Sequence, residues 1–403
     1  MKTTAVICEY NPFHNGHEYM LKKLREEGSD HIAAIMSGSF TQRGEAAVFD
    51  KYSRTKAALA GGADIVIELP VSFACANAER FAFGGAYIAQ ALGVVDELAF
   101  GSETGDTQLL KTAADAVDDE RVRAELSVQL AKGMTFAAAR QKAVEEIFGA
   151  ECSEILSQPN DILGIEYIRA LKKLGSGISV RALRRTGASH DSEEASENIA
   201  SAKAVRSLIY REDMGYERFI PEYAAQIFSQ SENQPPPGGR MAKLEQALLY
   251  RLRTMTAEEI SLLPEISEGL ENRIYSSVKQ GCTAEEIISS IKSKRYTRAR
   301  IARILTYALL GFRKRELPEH PGYIRILGMN QRGRELLRMA GKSGSSGTKL
   351  PVVIRYSEAE KHSAAKRMFL QESECDDIYA LSGKSPDICG RNFTTPLIVR
   401  SER

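Results

Sequence analysis

Two of the six histidines in this 403-residue chain, His14 and His17, stand three apart in the segment Glu9-Tyr10-Asn11-Pro12-Phe13-His14-Asn15-Gly16-His17. The segment follows a short apolar run, Thr4 to Cys8, and leads into a helical pattern from His17 to Glu27, with Met20, Leu21 and Leu24 inward and Gly28 as its stop. A helix that begins near Gly16 presents unpaired N–H groups and the positive end of its dipole, a combination that holds anions. Gly16 lets a phosphate approach the backbone, and both imidazoles can donate to phosphoryl oxygens. Two histidines at this spacing more often cap a helix than bind a ligand. Their place just after the first strand of a parallel sheet reverses that weighting, because ligands of such sheets sit there.

A second segment, Ile199-Ala200-Ser201-Ala202-Lys203-Ala204-Val205-Arg206, offers the same chemistry later in the chain. Ser201 begins a helix, and Lys203 and Arg206 add two cations, which suits a leaving pyrophosphate. The alternative for these cations is a solvated face of an amphipathic helix. The HxGH signature at His14 to His17 resembles the nucleotidyltransferase superfamily, which binds ATP or another nucleoside triphosphate and transfers its α-phosphoryl nucleotide. Residues 199–206 resemble that superfamily's ISSTxxR-type segment, with Ala200 in place of the usual Ser. No GxGxxG follows a strand. The Gly-Lys-Ser triplets at 341–343 and 383–385 have Leu336 and Ile378 where a P-loop needs its first Gly.

These groups need a scaffold, and the apolar runs supply it. Thr4 to Cys8, His31 to Met36, Asp64 to Leu69 and Glu97 to Phe100 recur at about the length of a βαβ unit. Continuous apolar runs suit strands buried on both faces. The fold class is therefore α/β, a doubly wound, Rossmann-like parallel sheet, with intervening helices at Asp50 to Ala60 and Ala78 to Leu92. Residues 107–150 read as successive helices. A helix at Asp161 to Leu174 precedes a fifth strand at Ile178 to Leu183, and Ser201 to Tyr210 closes the half. The loop Asn233 to Gly239 marks a boundary. The expected division is a catalytic domain over 1–215 and a mainly helical, basic domain over 240–403. The latter ends in a small α/β portion, with strands at Tyr323 to Leu327 and Pro351 to Tyr356, a helix at Gln331 to Ala340 and a glycine- and serine-rich loop at 341–347.

Composition excludes several classes. With 54 Lys and Arg against 53 Asp and Glu, the chain is no uniformly basic nucleic-acid coat. No run of about 18 apolar residues exists to span a membrane, and no signal peptide is evident. Six scattered Cys without CxxC spacing give no zinc or disulfide framework, so a cytoplasmic protein with reduced thiols is expected. The balance is nevertheless local. Residues 1–100 carry 9 cations and 12 acids, whereas 292–315 carry nine cations and no acid. Lys292, Lys294, Arg295, Arg298, Arg300 and Arg303, interleaved with Tyr296, Tyr307 and Phe312, are candidates for phosphate contact and base stacking. A solvated helix face is the plainer alternative.

Further loops sharpen the resemblance: Ser37 to Glu45, Phe100 to Glu103, Pro159 to Gly164 and Arg184 to Gly187, each where the sheet presents ligand loops. With Glu9 to His17, this set resembles the tRNA(Met) cytidine acetate ligase family over essentially the whole chain. The resemblance implies an ATP-dependent ligase that forms acetyl-adenylate and acetylates N4 of the wobble cytidine in the anticodon loop of elongator tRNA(Met). It implies that Ile7, Cys8, Glu9, Tyr10, Asn11, Pro12, Phe13, His14, Asn15, Gly16, His17, Glu18, Tyr19 and Met20 line the ATP site, with contacts from Gly101, Asn160 and Arg185. Asp161 stands where an Asn is common in the family. Acetate is the second substrate, and Mg²⁺ commonly accompanies triphosphates, although no carboxylate cage is visible. The rival readings are a nucleotidyltransferase for a small phosphorylated metabolite and a non-catalytic RNA-binding module. The basic segment counts against the first and the histidines against the second.

Overall fold

A computed structural model describes residues 1–185, 200–267, 269–342 and 350–401. Thr186, Gly187, Ile199 and the loop residues 343–347 lie outside the described residues. Eight strands form one sheet: β1 (Thr3–Cys8), β2 (His31–Ser37), β3 (Ile65–Leu69), β4 (Glu97–Ser102), β5 (Ser179–Arg184), β6 (Ile324–Met329), β7 (Val352–Val353) and β8 (Ile398–Val399). Their order is β5-β4-β1-β2-β3-β6-β7, with β8 also on β6. The first five are parallel neighbours. The chain steps from β1 to β2 and β3 on one side, then returns to place β4 on the other side of β1. That reversal opens a crevice at the carboxyl ends of β1 and β4, where a doubly wound sheet takes its ligand.

Alternation along the strands explains the continuous apolar runs. Ala5, Ile7, Ala33, Ile35, Ile65 and Ile67 pack into one core, and Val6, Cys8, Ile32, Ala34, Met36 and Val66 into another on the opposite face. Neither face meets water, so neither needs a polar residue. Helices approach closely where they lack a side chain. A Cβ at Gly164, in the helix Pro159–Lys173, would overlap the buried Phe100 ring of β4.

The C-terminal strands differ from expectation. They do not form a separate α/β portion: β6 pairs antiparallel with β3 and extends the first sheet. Residues 240–316 of the second half form a helical layer, with a core around Leu244, Leu248, Ile274, Ile304 and Phe312 that Phe40, Ala46 and Ala47 of the first half also enter. Buried ion pairing secures the C-terminal return. Lys51, at the start of α2 (Lys51–Ala60), lies 2.6 Å from both Glu68 of β3 and Asp376 of the helix Ser363–Ala380. Glu372 of that helix accepts from the Val71 amide at 2.7 Å.

Gly164→Ala sets a helix-propensity gain of about 1 kcal/mol against overpacking of about 1–3 kcal/mol. Because Phe100 is buried and cannot swing away, overpacking should win, with a net loss of up to about 2 kcal/mol in urea unfolding. An unchanged or raised midpoint would show that the helix shifts to make room.

Candidate active site

The loop after β1 is folded by its own side chains. Asn11 accepts from the Val48 amide at 2.7 Å, Tyr10 takes a left-handed φ of 45°, and Phe13 is fully buried. His14 then caps α1 (Asn15–Glu26). Its Nδ1 accepts from the Gly16 amide at 3.1 Å, while Nδ1 of His17 accepts from the His14 amide at 3.2 Å. The two rings stack with centroids 3.6 Å apart. This is a reciprocal capping box built from imidazoles. With each Nδ1 an acceptor, the proton of each neutral ring is on Nε2, which makes both Nε2–H groups donors. Burial, with the charges of Arg185 and Arg206, pushes His14 down to about 3. Burial, His14 and Arg185 hold His17 well below the usual histidine range. Both rings are therefore neutral donors throughout the physiological range.

Cations gather around them. Arg206, in the helix Ala202–Tyr210, donates through Nη1 to the Asn11 carbonyl at 2.8 Å and lies 3.9 Å from Glu45. Ser201 caps that helix, with its hydroxyl accepting from the Ala204 amide at 3.2 Å, and Lys203 is exposed beyond it. Arg185 folds its stem toward Gly101, where a Cβ would come within 3.4 Å of it, and reaches Asn160 Oδ1 at 3.5 Å. Gly101, Asn160 and Arg185, far apart in sequence, are thus brought together.

Two acidic residues organise this side. Glu103 accepts from the Asn160 side chain at 2.6 Å and from the Asp161 amide at 2.9 Å, at the start of the Pro159–Lys173 helix. Asp161, fully buried, accepts in return from Ser102 and from the amides of Glu103 (3.0 Å) and Thr104 (3.2 Å). Asp161 thereby accepts three bonds, which is work a carboxylate suits better than an amide. No spacing signal in the sequence marks this exchange across 58 residues. Glu9 accepts from the Gln42 amide at 2.8 Å. Burial raises its carboxyl above the usual range, although that hydrogen bond and Arg206 oppose the rise.

Other residues expected at the site have their side chains engaged elsewhere. Ile7, Cys8, Phe13 and Met20 pack into the sheet cores. Glu18 bonds Tyr223 at 3.1 Å and Lys22 at 3.0 Å, Tyr19 is exposed, and the Asn15 amide donates to the Arg218 carbonyl. Pro12 follows Asn11 through a cis peptide bond. Among the described residues, no group of three or more His, Cys, Asp or Glu side chains could hold a metal ion.

The basic segment divides. Lys292, Lys294 and Arg295 are exposed. Arg298 is also exposed but forks onto Glu285 at 2.5 and 2.6 Å. Arg300 donates to the Glu265 carbonyl at 2.7 Å, and Arg303 is 8% exposed. Tyr296, Tyr307 and Phe312 are core residues, so the expected stacking role is overturned: the same rings that could meet bases hold the helices together. Among the described residues, no helix is long and apolar enough to cross a membrane.

A parallel sheet whose switch-point crevice carries an HxGH helix start defines a nucleotidyl transferase, and the family model described as HIGH Nucleotidyl Transferase matches residues 1–391. Over 405 residues the chain is 38% identical to the tRNA(Met) cytidine acetate ligase of Thermoanaerobacter sp. (strain X514), covering 99% of this chain and 100% of the relative. It is 35% identical to the protein of that name from Acetivibrio thermocellus over 418 residues, covering 99% and 100%. Among solved structures it is similar to Thermotoga maritima TmcAL in its apo form (TM-score 0.90, 33% identity) and bound with alpha-thio ATP (0.89, 32%), with all of both chains covered. The chain belongs to the tRNA(Met) cytidine acetate ligase family of HIGH nucleotidyl transferases.

The neutral histidines set a pH dependence. Folded His14 titrates near 3 and unfolded His near 6.5, so the unfolded chain binds more protons between these values. The contribution to stability is complete above pH 6.5 and is lost as pH falls toward 3. His14→Asn keeps a capping acceptor without the titration, so its urea midpoint should fall less steeply below pH 6.5 than that of the wild type. Parallel slopes would mean that His14 is protonated in the native protein.

Proposed function

We propose that this chain activates acetate with ATP and transfers the acetyl group to N4 of the wobble cytidine of elongator tRNA(Met). The observation that carries the reading is the pair of neutral histidines whose Nδ1 atoms are fixed on backbone amides, at a helix N-terminus flanked by Arg185 and Arg206. Acetate is ionised at neutral pH, so the first step needs no general base. It needs one anion to approach another. An acetate oxygen attacks the α-phosphorus, the bond from that phosphorus to the bridging oxygen breaks, and pyrophosphate departs with the electron pair. The Nε2–H groups of His14 and His17 donate to the phosphoryl oxygens, with the positive end of the α1 dipole behind them, while Arg206 and Lys203 balance the leaving pyrophosphate.

In the second step the cytidine N4 amine attacks the acetyl carbonyl, AMP leaves, and the amine loses a proton. A base in a single-stranded anticodon loop can be splayed toward the crevice. Lys292, Lys294 and Arg295 are the exposed cations through which the helical layer meets tRNA phosphates. The reaction belongs in the cytoplasm, where charged ATP and tRNA pools meet. Full-length similarity to ligases named for tRNA(Met) cytidine does not favour the small-metabolite alternative.

Incubation with ATP, radiolabelled acetate and bulk tRNA should place label in N4-acetylcytidine; unlabelled nucleosides and no acetate-dependent ATP turnover would sink the proposal. His14→Ala and His17→Ala should each slow acetate-dependent ATP–pyrophosphate exchange by about 10²–10³-fold and spare tRNA binding. Replacing Lys292, Lys294 and Arg295 by Glu should weaken tRNA binding and flatten its salt dependence, with exchange retained. Unchanged affinity would leave these cations as a solvated surface.

A further inference from the structure

Arg303 stood among the RNA-binding candidates, and its surroundings assign it other work. Its guanidinium is enclosed, with Nε and Nη2 each 2.7 Å from the two carboxylate oxygens of Glu265. The remaining arm crosses to the first half of the molecule, where Nη1 donates to the Gln42 carbonyl at 3.2 Å. Gln42 in turn donates its amide to the Glu9 carboxylate at the crevice. Two further contacts pin the same loop to the helix Arg298–Leu310. The Thr306 hydroxyl donates to the Gly44 carbonyl at 2.8 Å, and a Cβ on Gly44, at φ +74°, would overlap the Arg303 backbone. Loop residues Phe40, Ala46 and Ala47 are built into the helical core. Behind the guanidinium, Glu265 adopts φ +61°, a conformation unfavourable for a non-glycine residue that persists only where its surroundings hold it.

We infer that Arg303, braced by Glu265, is a positioning residue for the adenylation step. It fixes the 39–45 loop on the helical layer and thereby sets Glu9, through Gln42, and Glu45, beside Arg206, at the nucleotide crevice. The inference rests on the proposed ATP-dependent reaction. The helical layer then serves both half-reactions: its exposed cations face RNA, and its buried arginine shapes the nucleotide site.

The test compares wild type, Arg303→Gln, Arg303→Lys, Gly44→Ala and Thr306→Val in three measurements: titration with alpha-thio ATP for site number and affinity, acetate-dependent ATP–pyrophosphate exchange without tRNA, and tRNA affinity. Arg303→Gln and Gly44→Ala should each weaken alpha-thio ATP binding about tenfold and lower exchange kcat/KM for ATP about ten- to hundred-fold per competent site, with tRNA affinity within about twofold of wild type. Arg303→Lys, which keeps a charged donor, should recover part of the loss. Thr306→Val removes one hydrogen bond only, and a smaller shift in the same direction is expected even if Arg303→Gln does not fold. Fewer competent sites of unchanged affinity would reduce Arg303 to a stability role and overturn the inference. Lost tRNA affinity with normal exchange would overturn it in favour of an RNA contact. If the wild type shows no exchange, the acetyl-adenylate reading itself fails; the clamp is then judged on alpha-thio ATP affinity, and unchanged affinity in the variants overturns it.

Discussion

Arg54 is the side chain on which the ligand edge of the sheet depends. It is fully buried in α2, and its guanidinium donates to main-chain carbonyls: Phe49 at 2.9 Å, Glu9 at 2.7 Å, Ser37 at 3.0 Å, and Gly38. The strands β1 and β2 end here, and beyond a strand's last ladder bond its carbonyls need other donors. A guanidinium offers five N–H groups in one plane, enough to serve the loops after β1 and β2 and the entry to α2 together. The arginine cannot discharge itself to escape burial, so the carbonyl dipoles must stay in place around it. One interior cation thus sets the spacing between the loop that bears the histidines and the loop that meets the helical layer.

From that frame the electrostatics of the crevice follow. His14 and His17 could have met phosphates as imidazolium ions, but buried rings stacked at 3.6 Å beside two arginines stay neutral, each with a single proton. Positive charge is supplied instead by Arg185 and Arg206, which flank the two rings. The histidines supply direction. Donors held by backbone hydrogen bonds need no reorganisation as charge develops, which is where electrostatic stabilisation is most effective. On the far side of the crevice, the exchange between Glu103 and Asp161 fixes Asn160 and, through it, Arg185.

Much of this was legible in the chain, and the rest was hidden for specific reasons. The first five strands and the α1 start announce themselves because both sheet faces are apolar and the capping residues are local. His14, Asp50 and Ser201 cap the helices they were placed beside. Gly101, Asn160 and Arg185 came only through the family resemblance, since their meeting depends on the parallel pairing of β4 with β5. The antiparallel partner of β3 lies more than 250 residues away in sequence, and an apolar run does not name its neighbour. Nothing in the helical pattern of residues 50–60 marks Arg54 as a buried cation.

The basic segment shows why charge counted along a chain differs from charge presented at a surface. Of six cations expected to face RNA, Arg300 and Arg303 are engaged within the protein and Arg298 is paired across to Glu285. Each cation so engaged needed an acceptor from outside the acid-free stretch, namely Glu285 from the preceding helix or Glu265 from 38 residues upstream of Arg303. The absence of acids within 292–315 therefore does not measure free positive charge; it shifts the partners to neighbouring elements. What stays exposed is the turn at Lys292, Lys294 and Arg295, immediately before the helix Arg298–Leu310 that holds the 39–45 loop. That helix is the one that Arg303 and Thr306 join to the 39–45 loop, so the free cations and the paired ones lie on a single continuous element and differ only in the acceptors within their reach.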